Sequence, residues 1–283
     1  MPSFRTLLVL GRVSNLPTVW SNCLAGWWLG GGGNFARLPF LFMGVTLLYL
    51  GGMFLNDAFD AEFDRQHRPE RPIPSGRISA RLVWRWGFGL LGAGELLLFY
   101  CGTGTGVLGI ALALCILLYD AIHKAFTFSP LLMGACRFVV YLIAASAGTT
   151  GVGGWAIWSG LALGVYVVGL SFIARSETGR GPLQYWPAGL LAAPVLLALL
   201  LNVGAYRGPA LLLSLVLTLW VLRCLRTIYW THSVNVGRSV SGLLAGIVLV
   251  DWIAAVETPH ELGYAFIGLF LAALLAQRFV PAT

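Results

Sequence analysis

Acidic side chains are scarce in this sequence. Asp and Glu together number 11 in 283 residues, and all charged types make up 10% of the chain. Soluble globular domains carry about 25% charged residues, so this composition excludes that class. Polar linkers, low-complexity tracts and internal repeats are also missing, and residues 1–283 read as one unit. The five cysteines are odd in number and none forms a C-x-x-C pair. They read as small buried hydrophobes rather than metal ligands or a disulfide framework. His67, His123, His232 and His260 show no metal-ligand spacing, and none is assigned to a metal. The opening residues lack the pattern of a cleaved signal, namely a basic n-region, a short apolar core and a small-residue cleavage site. The first apolar run is therefore expected to stay as an anchor.

What the chain has in place of charge is apolar length. Hydrophobic residues make up 58%, in runs that approach the roughly 20 residues needed to cross a bilayer core of ~30 Å. Ten candidate spans are read at about 16–31, 38–60, 82–101, 104–119, 131–149, 155–174, 186–203, 209–230, 239–256 and 261–279. Nine remain if two late segments are misread. Gly and Pro punctuate the joints, as at Gly30 to Gly33, Gly102 to Gly106 and Pro259. The expected fold is all-α: a polytopic transmembrane bundle of nine to ten helices. Abundant Gly and Ala suit close helix packing, and Trp near span ends reads as an interfacial belt. Sixteen of the 18 basic residues fall at the termini and even-numbered turns; Arg37 and Arg207 are the exceptions. By the positive-inside rule this places both termini and those turns in the cytoplasm. The net charge of +7 thus reads as membrane flanking, not nucleic-acid affinity.

Against this scarcity, five of the 11 acids fall between Asp57 and Glu70. Asp57, Asp60 and Asp64 stand at i, i+3 and i+7, on one face if the helix continues, and Asn56 joins Asp60 at i+4. Like charges so placed repel. A hard divalent cation such as Mg²⁺, which shares its shell with substrate phosphates, would turn the repulsion into a site. The alternative is a solvated acidic turn beside the membrane. The even turns also carry Arg68 and Arg71, then Tyr119-Asp120-Ala121-Ile122-His123-Lys124, then Arg175-Ser176-Glu177-Thr178-Gly179-Arg180. Carboxylates, Arg and Lys around an apolar cavity suit a ligand with a phosphorylated head and a hydrocarbon tail. Lys124 could otherwise be an ordinary membrane-flanking lysine, and Arg175, Glu177 and Arg180 an interfacial charge group. Glu95 and Asp251 fall inside spans, where ionisable groups are costly and often functional. Arg12 and Asn15 begin the first span, and a snorkelling Arg12 is the expected reading.

Asn56-Asp57-x-x-Asp60-x-x-x-Asp64, followed by Arg71-Pro72-Ile73-Pro74-Ser75-Gly76, resembles the UbiA superfamily of membrane prenyltransferases. Tyr119 and Lys124 resemble its next signature. The resemblance implies an enzyme that binds a polyprenyl diphosphate through Mg²⁺, aids loss of diphosphate, and passes the prenyl group to an aromatic or hydroxyl acceptor. Carried over, Asn56, Asp60 and Asp64 face Mg²⁺ with Asp57 beside them. Arg71 and Lys124 contact diphosphate, with Arg68 assisting. The place of the family's second acidic motif holds only Glu177 between Arg175 and Arg180. There, Glu177 is assigned to metal and the arginines to diphosphate, unless the acceptor occupies that side. This variant looks like a divergent EboC-type branch. The Asp64-to-Arg71 spacing is shorter than in ubiquinone-pathway enzymes and argues against a 4-hydroxybenzoate acceptor. Other readings are a cyclase using the same ionisation without an acceptor, and a non-catalytic lipid-phosphate binding or transport protein.

Overall fold

The computed structural model describes residues 2–33, 35–175, 184–230 and 236–280. Within them the chain is all-helical: α1 (Phe4–Leu10), α2 (Leu16–Leu29), α3 (Leu38–Phe59), α4 (Ala61–His67), α5 (Ala80–Cys101), α6 (Thr103–Ile122), α7 (Pro130–Ser146), α8 (Gly154–Arg175), α9 (Trp186–Leu190), α10 (Ala193–Leu201), α11 (Arg207–Tyr229), α12 (Val236–Ala254) and α13 (His260–Ala276). Each of the ten expected spans falls on a helix or a helix pair. Among the described residues six helices are long and apolar enough to cross a membrane, namely α3, α5, α6, α8, α11 and α12. The remaining candidates are shorter. The span expected at 186–203 is broken into α9 and α10. Pro194 has no N–H to offer the carbonyl of Leu190, where α9 ends. The first span is only α2, of 14 residues, and most of it is buried. It threads the bundle interior rather than facing lipid.

Large apolar side chains such as Leu96, Leu200, Leu212 and Tyr264 lie exposed on the outer surface. In water such a surface would aggregate; here it meets lipid, and the protein is an integral membrane protein. The interior is close-packed around Trp27, Tyr141, Tyr166 and Phe266. The α3–α5 seam shows how tightly. A Cβ on Gly94 would stand 2.7 Å from the Gly44 carbonyl, and one on Gly51 would stand 2.9 Å from the Gly87 carbonyl. With no apolar–water contrast to drive helices together inside a bilayer, such small-residue seams let backbones meet. The seam fixes where the C-terminal end of α3 emerges.

Beyond that end lies a second, smaller core of Leu10, Phe54, Ala58, Ile78 and Val83. It pins α1, the end of α3 and the loop from 68 to 79 against one another. The loop turns at Gly76, whose φ of +74° is cheap only for glycine. The ends of α3, α6 and α8 gather at this one end of the bundle, where Lys124 reaches Asp60 and Arg175 reaches the turn after α6.

Candidate active site

The acidic motif straddles the end of α3. Asp60 is the joint between α3 and α4, and its N–H still donates to the Asn56 carbonyl, as that of Asp64 does to Asp60. The helical path is thus almost unbroken, and the acids keep the expected side. Asn56, Asp57, Asp60 and Asp64 are all buried. A solvated acidic turn is therefore ruled out.

Asp57, Asp60 and Asp64 each meet at least one cation, and Arg71 is shared between two of them. Arg71 donates to Asp57 at 3.3 Å and to Asp64 at 3.0 Å. Arg12 donates to Asp57 at 3.3 Å and to the side-chain Oδ1 of Asn56 at 3.2 Å. Lys124 Nζ stands 2.7 Å from Asp60, with His123 Nε2 at 3.4 Å from the same oxygen. Lys124 also caps the ring of Phe63, 3.8 Å from its centroid. Burial acts to raise the Asp60 carboxyl. The hydrogen bonds and charges of His123 and Lys124 outweigh it and hold the group below its ordinary range. The motif Arg71-Pro72-Ile73-Pro74-Ser75-Gly76 is thus a clip. Its Ile73 packs on the second core, Gly76 turns the chain, and Arg71 is aimed back at the acids.

Three expectations change. Asn56, Asp60 and Asp64, expected to face Mg²⁺ together, are instead engaged separately, Asp60 by Lys124 and His123, Asp64 by Arg71 and Asn56 by Arg12. Among the described residues no three His, Cys, Asp or Glu side chains are placed to hold a metal by themselves. Arg12 does not snorkel. It adopts φ 41°, ψ 48°, a left-handed backbone rare for a side-chain-bearing residue, between α1 and α2. That bend turns its guanidinium inward, and Tyr49 Oη donates to its carbonyl at 3.1 Å. Arg175 does not point at the acids. Its guanidinium donates to the carbonyls of His123 and Thr127, both at 2.5 Å, and to Ser129 Oγ at 2.9 Å. It braces the turn that carries Lys124. Arg68 lies partly exposed and makes no ion pair among the described residues. Glu177 and Arg180 lie outside the described residues.

Two residues of the 119–124 stretch that the motif gives no role, Asp120 and His123, join the cluster. Asp120, on α6, is buried; its Oδ1 accepts from Asn56 Nδ2 at 3.0 Å, while its Oδ2 is buried without a partner. His123 reaches Asp60 because α6 ends beside the joint at residue 60. A signal existed for Asp120, an isolated acid one residue after Tyr119 at the end of an apolar run. An oxygen-only donor set with an orphaned carboxylate oxygen fits a hard cation, which takes one or two carboxylates and completes its shell from substrate phosphate and water. A separate groove, lined by Trp155, Leu197, Ala198, Asn202 and Ile253, lies at the other end of the bundle and touches none of these residues.

The model of the UbiA prenyltransferase family matches residues 16–177, more than half of the chain. The chain belongs to the UbiA prenyltransferase family. Among curated UbiA relatives, digeranylgeranylglyceryl phosphate synthase of Sulfolobus acidocaldarius is 34% identical over 119 residues, 42% of each chain. The synthase of Methanothrix thermoacetophila is 49% identical over 57 residues, 20% of this chain and 21% of that one. The chain thus spans less than half the length of the curated relatives it matches. Among solved structures, a UbiA homolog from Aeropyrum pernix superposes with a TM-score of 0.67 at 16% identity, over 88% of this chain and 98% of that one. A UbiA homolog from Archaeoglobus fulgidus, bound to DMAPP and Mg²⁺, gives 0.52 at 13% identity, over 96% and 98%. At these identities the structures establish a shared fold.

Proposed function

We propose that this protein is a Mg²⁺-dependent prenyltransferase of the cytoplasmic membrane, with its single domain of residues 1–283 opening to the cytoplasm beside both termini. The observation that carries this is the meeting of Asn56, Asp57, Asp60, Asp64 and Asp120 with Arg12, Arg71 and Lys124 at one end of an apolar bundle. The donor is a prenyl diphosphate, as the DMAPP and Mg²⁺ of the Archaeoglobus homolog support. The acceptor is a hydroxyl compound, and the relatives' shared name points to a glyceryl phosphate lipid.

One or two carboxylates of the cluster, drawn from Asp120, whose Oδ2 has no partner, and Asp60 or Asp64, would hold Mg²⁺ with its shell completed by phosphate oxygens and water. Bound there, the ion supplies positive charge against the leaving diphosphate. Arg71 and Lys124 exchange part of their carboxylate contact for diphosphate oxygens, and Arg12 holds Asp57 in place. The allylic C–O bond breaks and diphosphate leaves with the electron pair. The acceptor oxygen forms the new C–O bond, and its proton passes to the departing diphosphate. Arg71, Lys124 and Arg12 stabilise charge as it develops, and the packed interior keeps water from the allylic cation. Arg175 keeps the Lys124 turn in place.

Purified protein, labelled geranylgeranyl diphosphate, Mg²⁺ and a glyceryl phosphate lipid test the proposal. Product is expected with the wild type and lost with chelator or with Asp60→Ala. A cyclic hydrocarbon formed without acceptor would replace transfer by cyclisation. Donor binding that is indifferent to metal and to Asp60→Ala would overturn the reading.

A further inference from the structure

A second polar network lies deeper in the bundle, away from the acids. Its centre is Arg137 on α7, seven residues into that helix and so roughly 10 Å from its start at ~1.5 Å per residue. Arg137 donates to Asn22 Oδ1 at 2.6 Å and to Thr18 Oγ1 at 3.0 Å. Both acceptors are neutral, and among the described residues Arg137 forms no ion pair. Asn22 turns its amide nitrogen to Asp251 Oδ2 at 2.7 Å. Ser21 Oγ, at 2.5 Å, and Tyr141 Oη, at 2.7 Å, complete the shell of that fully buried carboxyl. Asp251 therefore sits one amide away from the guanidinium. It orients Asn22, and through Asn22 it orients Arg137, without touching the cation.

A guanidinium inside a membrane bundle without a direct counter-charge is costly, and intramembrane cations face cavities and ligand pathways. Arg137 is held from the α2 side by only two of its N–H groups, is partly exposed, and has its remaining donors available. The α2 residues that hold it belong to a line. Arg12 stands at the left-handed bend before this segment, and Asn15, Thr18 and Asn22 follow at spacings of three and four, on one side of the helical path that leads into α2. The first of them grips Asn56 and Asp57, while the last two grip Arg137. A polar track thus runs from the acid cluster into the bundle and ends on an arginine whose planar fork matches oxyanions.

We infer that Arg137 seats an anionic group, a phosphate or a carboxylate, carried by the acceptor, with Asn22 and Asp251 as positioning residues. This rests on the prenyl-transfer reading for the word acceptor, while the anion site itself is separately measurable. The test uses the full chain in nanodiscs, without donor or Mg²⁺. Binding of 1-oleoylglycerol phosphate is compared with mono-oleoylglycerol, and 4-butylbenzoate with 4-butylbenzyl alcohol. The wild type is expected to prefer at least one anion over its neutral twin by tenfold or more, and the preferred pair separates a lipid phosphate from an aromatic acid. Arg137→Gln is expected to erase the preference, Arg137→Lys to keep part of it, and Arg207→Met, at an exposed arginine outside both polar networks, to leave it in place. No preference in the wild type, or one unchanged in Arg137→Gln, overturns the inference. Should Arg137→Gln fail to fold, phenylglyoxal labelling of the wild type decides. The preferred anion must shield Arg137 from modification, and unshielded labelling sinks the site. Anion preference without any prenyl transfer would instead refute the proposed function alone.

Discussion

Arg71 stands between two buried carboxylates, and its removal separates a structural duty from a catalytic one. In Arg71→Met, Asp57 keeps Arg12 at 3.3 Å, but Asp64 loses its ion-pair partner at 3.0 Å. At an effective dielectric near 20, a unit pair about 3 Å apart carries about 5 kcal/mol of attraction before desolvation is counted. Breaking one side of a buried pair costs about 3–5 kcal/mol, because the remaining charge stays buried. Asp64 is 3% exposed and Arg71 17%, which places the expected loss at the lower end, about 3 kcal/mol. Unfolding in mixed micelles measures it. Arg68→Met, which removes no ion pair, should shift stability by less than about 0.5 kcal/mol. The double variant Arg71→Met/Asp64→Asn has no orphaned charge and should regain most of the lost stability. It should not regain prenyl transfer, because the diphosphate still lacks its arginine and the metal site has lost the Asp64 carboxylate. A loss below about 1 kcal/mol in the single variant would refute the buried-pair reasoning. Recovery of both stability and transfer in the double variant would reduce Arg71 to a structural clip.

Gly94→Ala places a methyl 2.7 Å from the Gly44 carbonyl and should cost about 1–3 kcal/mol by overpacking, whereas Gly89→Ala meets nothing within 4 Å and should be neutral or gain up to about 1 kcal/mol; thermal unfolding of both decides. Asp60 titrates below its ordinary 3.8 in the folded protein. Its contribution to stability is therefore present above the unfolded-state value and fades as pH falls through the lower folded one. Lys124→Met removes part of that depression, so the acid edge of the stability profile should move to higher pH; an unmoved edge would dissociate Lys124 from Asp60. Arg175→Lys cannot reproduce the fork that holds His123, Thr127 and Ser129. It should raise the KM for donor several-fold through a loosened Lys124 turn, and hydrogen exchange confined to residues 123–129 should rise with it.

Composition and spacing decided a good deal. Apolar runs near membrane length, Gly and Pro at their ends, and basic residues at alternate turns require a helical membrane bundle whose even turns share one end. These are properties of contiguous residues, so they survive being read one stretch at a time. The same holds for Asp57, Asp60 and Asp64, whose common side follows from helical period alone. Local pattern also missed what it could not see. Pro194 breaks a run that hydropathy treats as continuous, and α2 is a short interior helix because neighbours cover it.

Which charges meet was decided only by the tertiary structure. Arg12 reaches Asp57 across 45 residues and Asn56 reaches Asp120 across 64, while Arg137 and Asp251 find Asn22 from helices remote in the chain. Arg175 lies beside a turn 46 to 52 residues earlier and donates to it. A sequence states that such groups exist and that a membrane interior makes leaving them alone expensive. The partner of each is chosen by the helix seams that bring them within about 3 Å, where hydrogen-bond geometry operates, and no one-dimensional pattern encodes that distance.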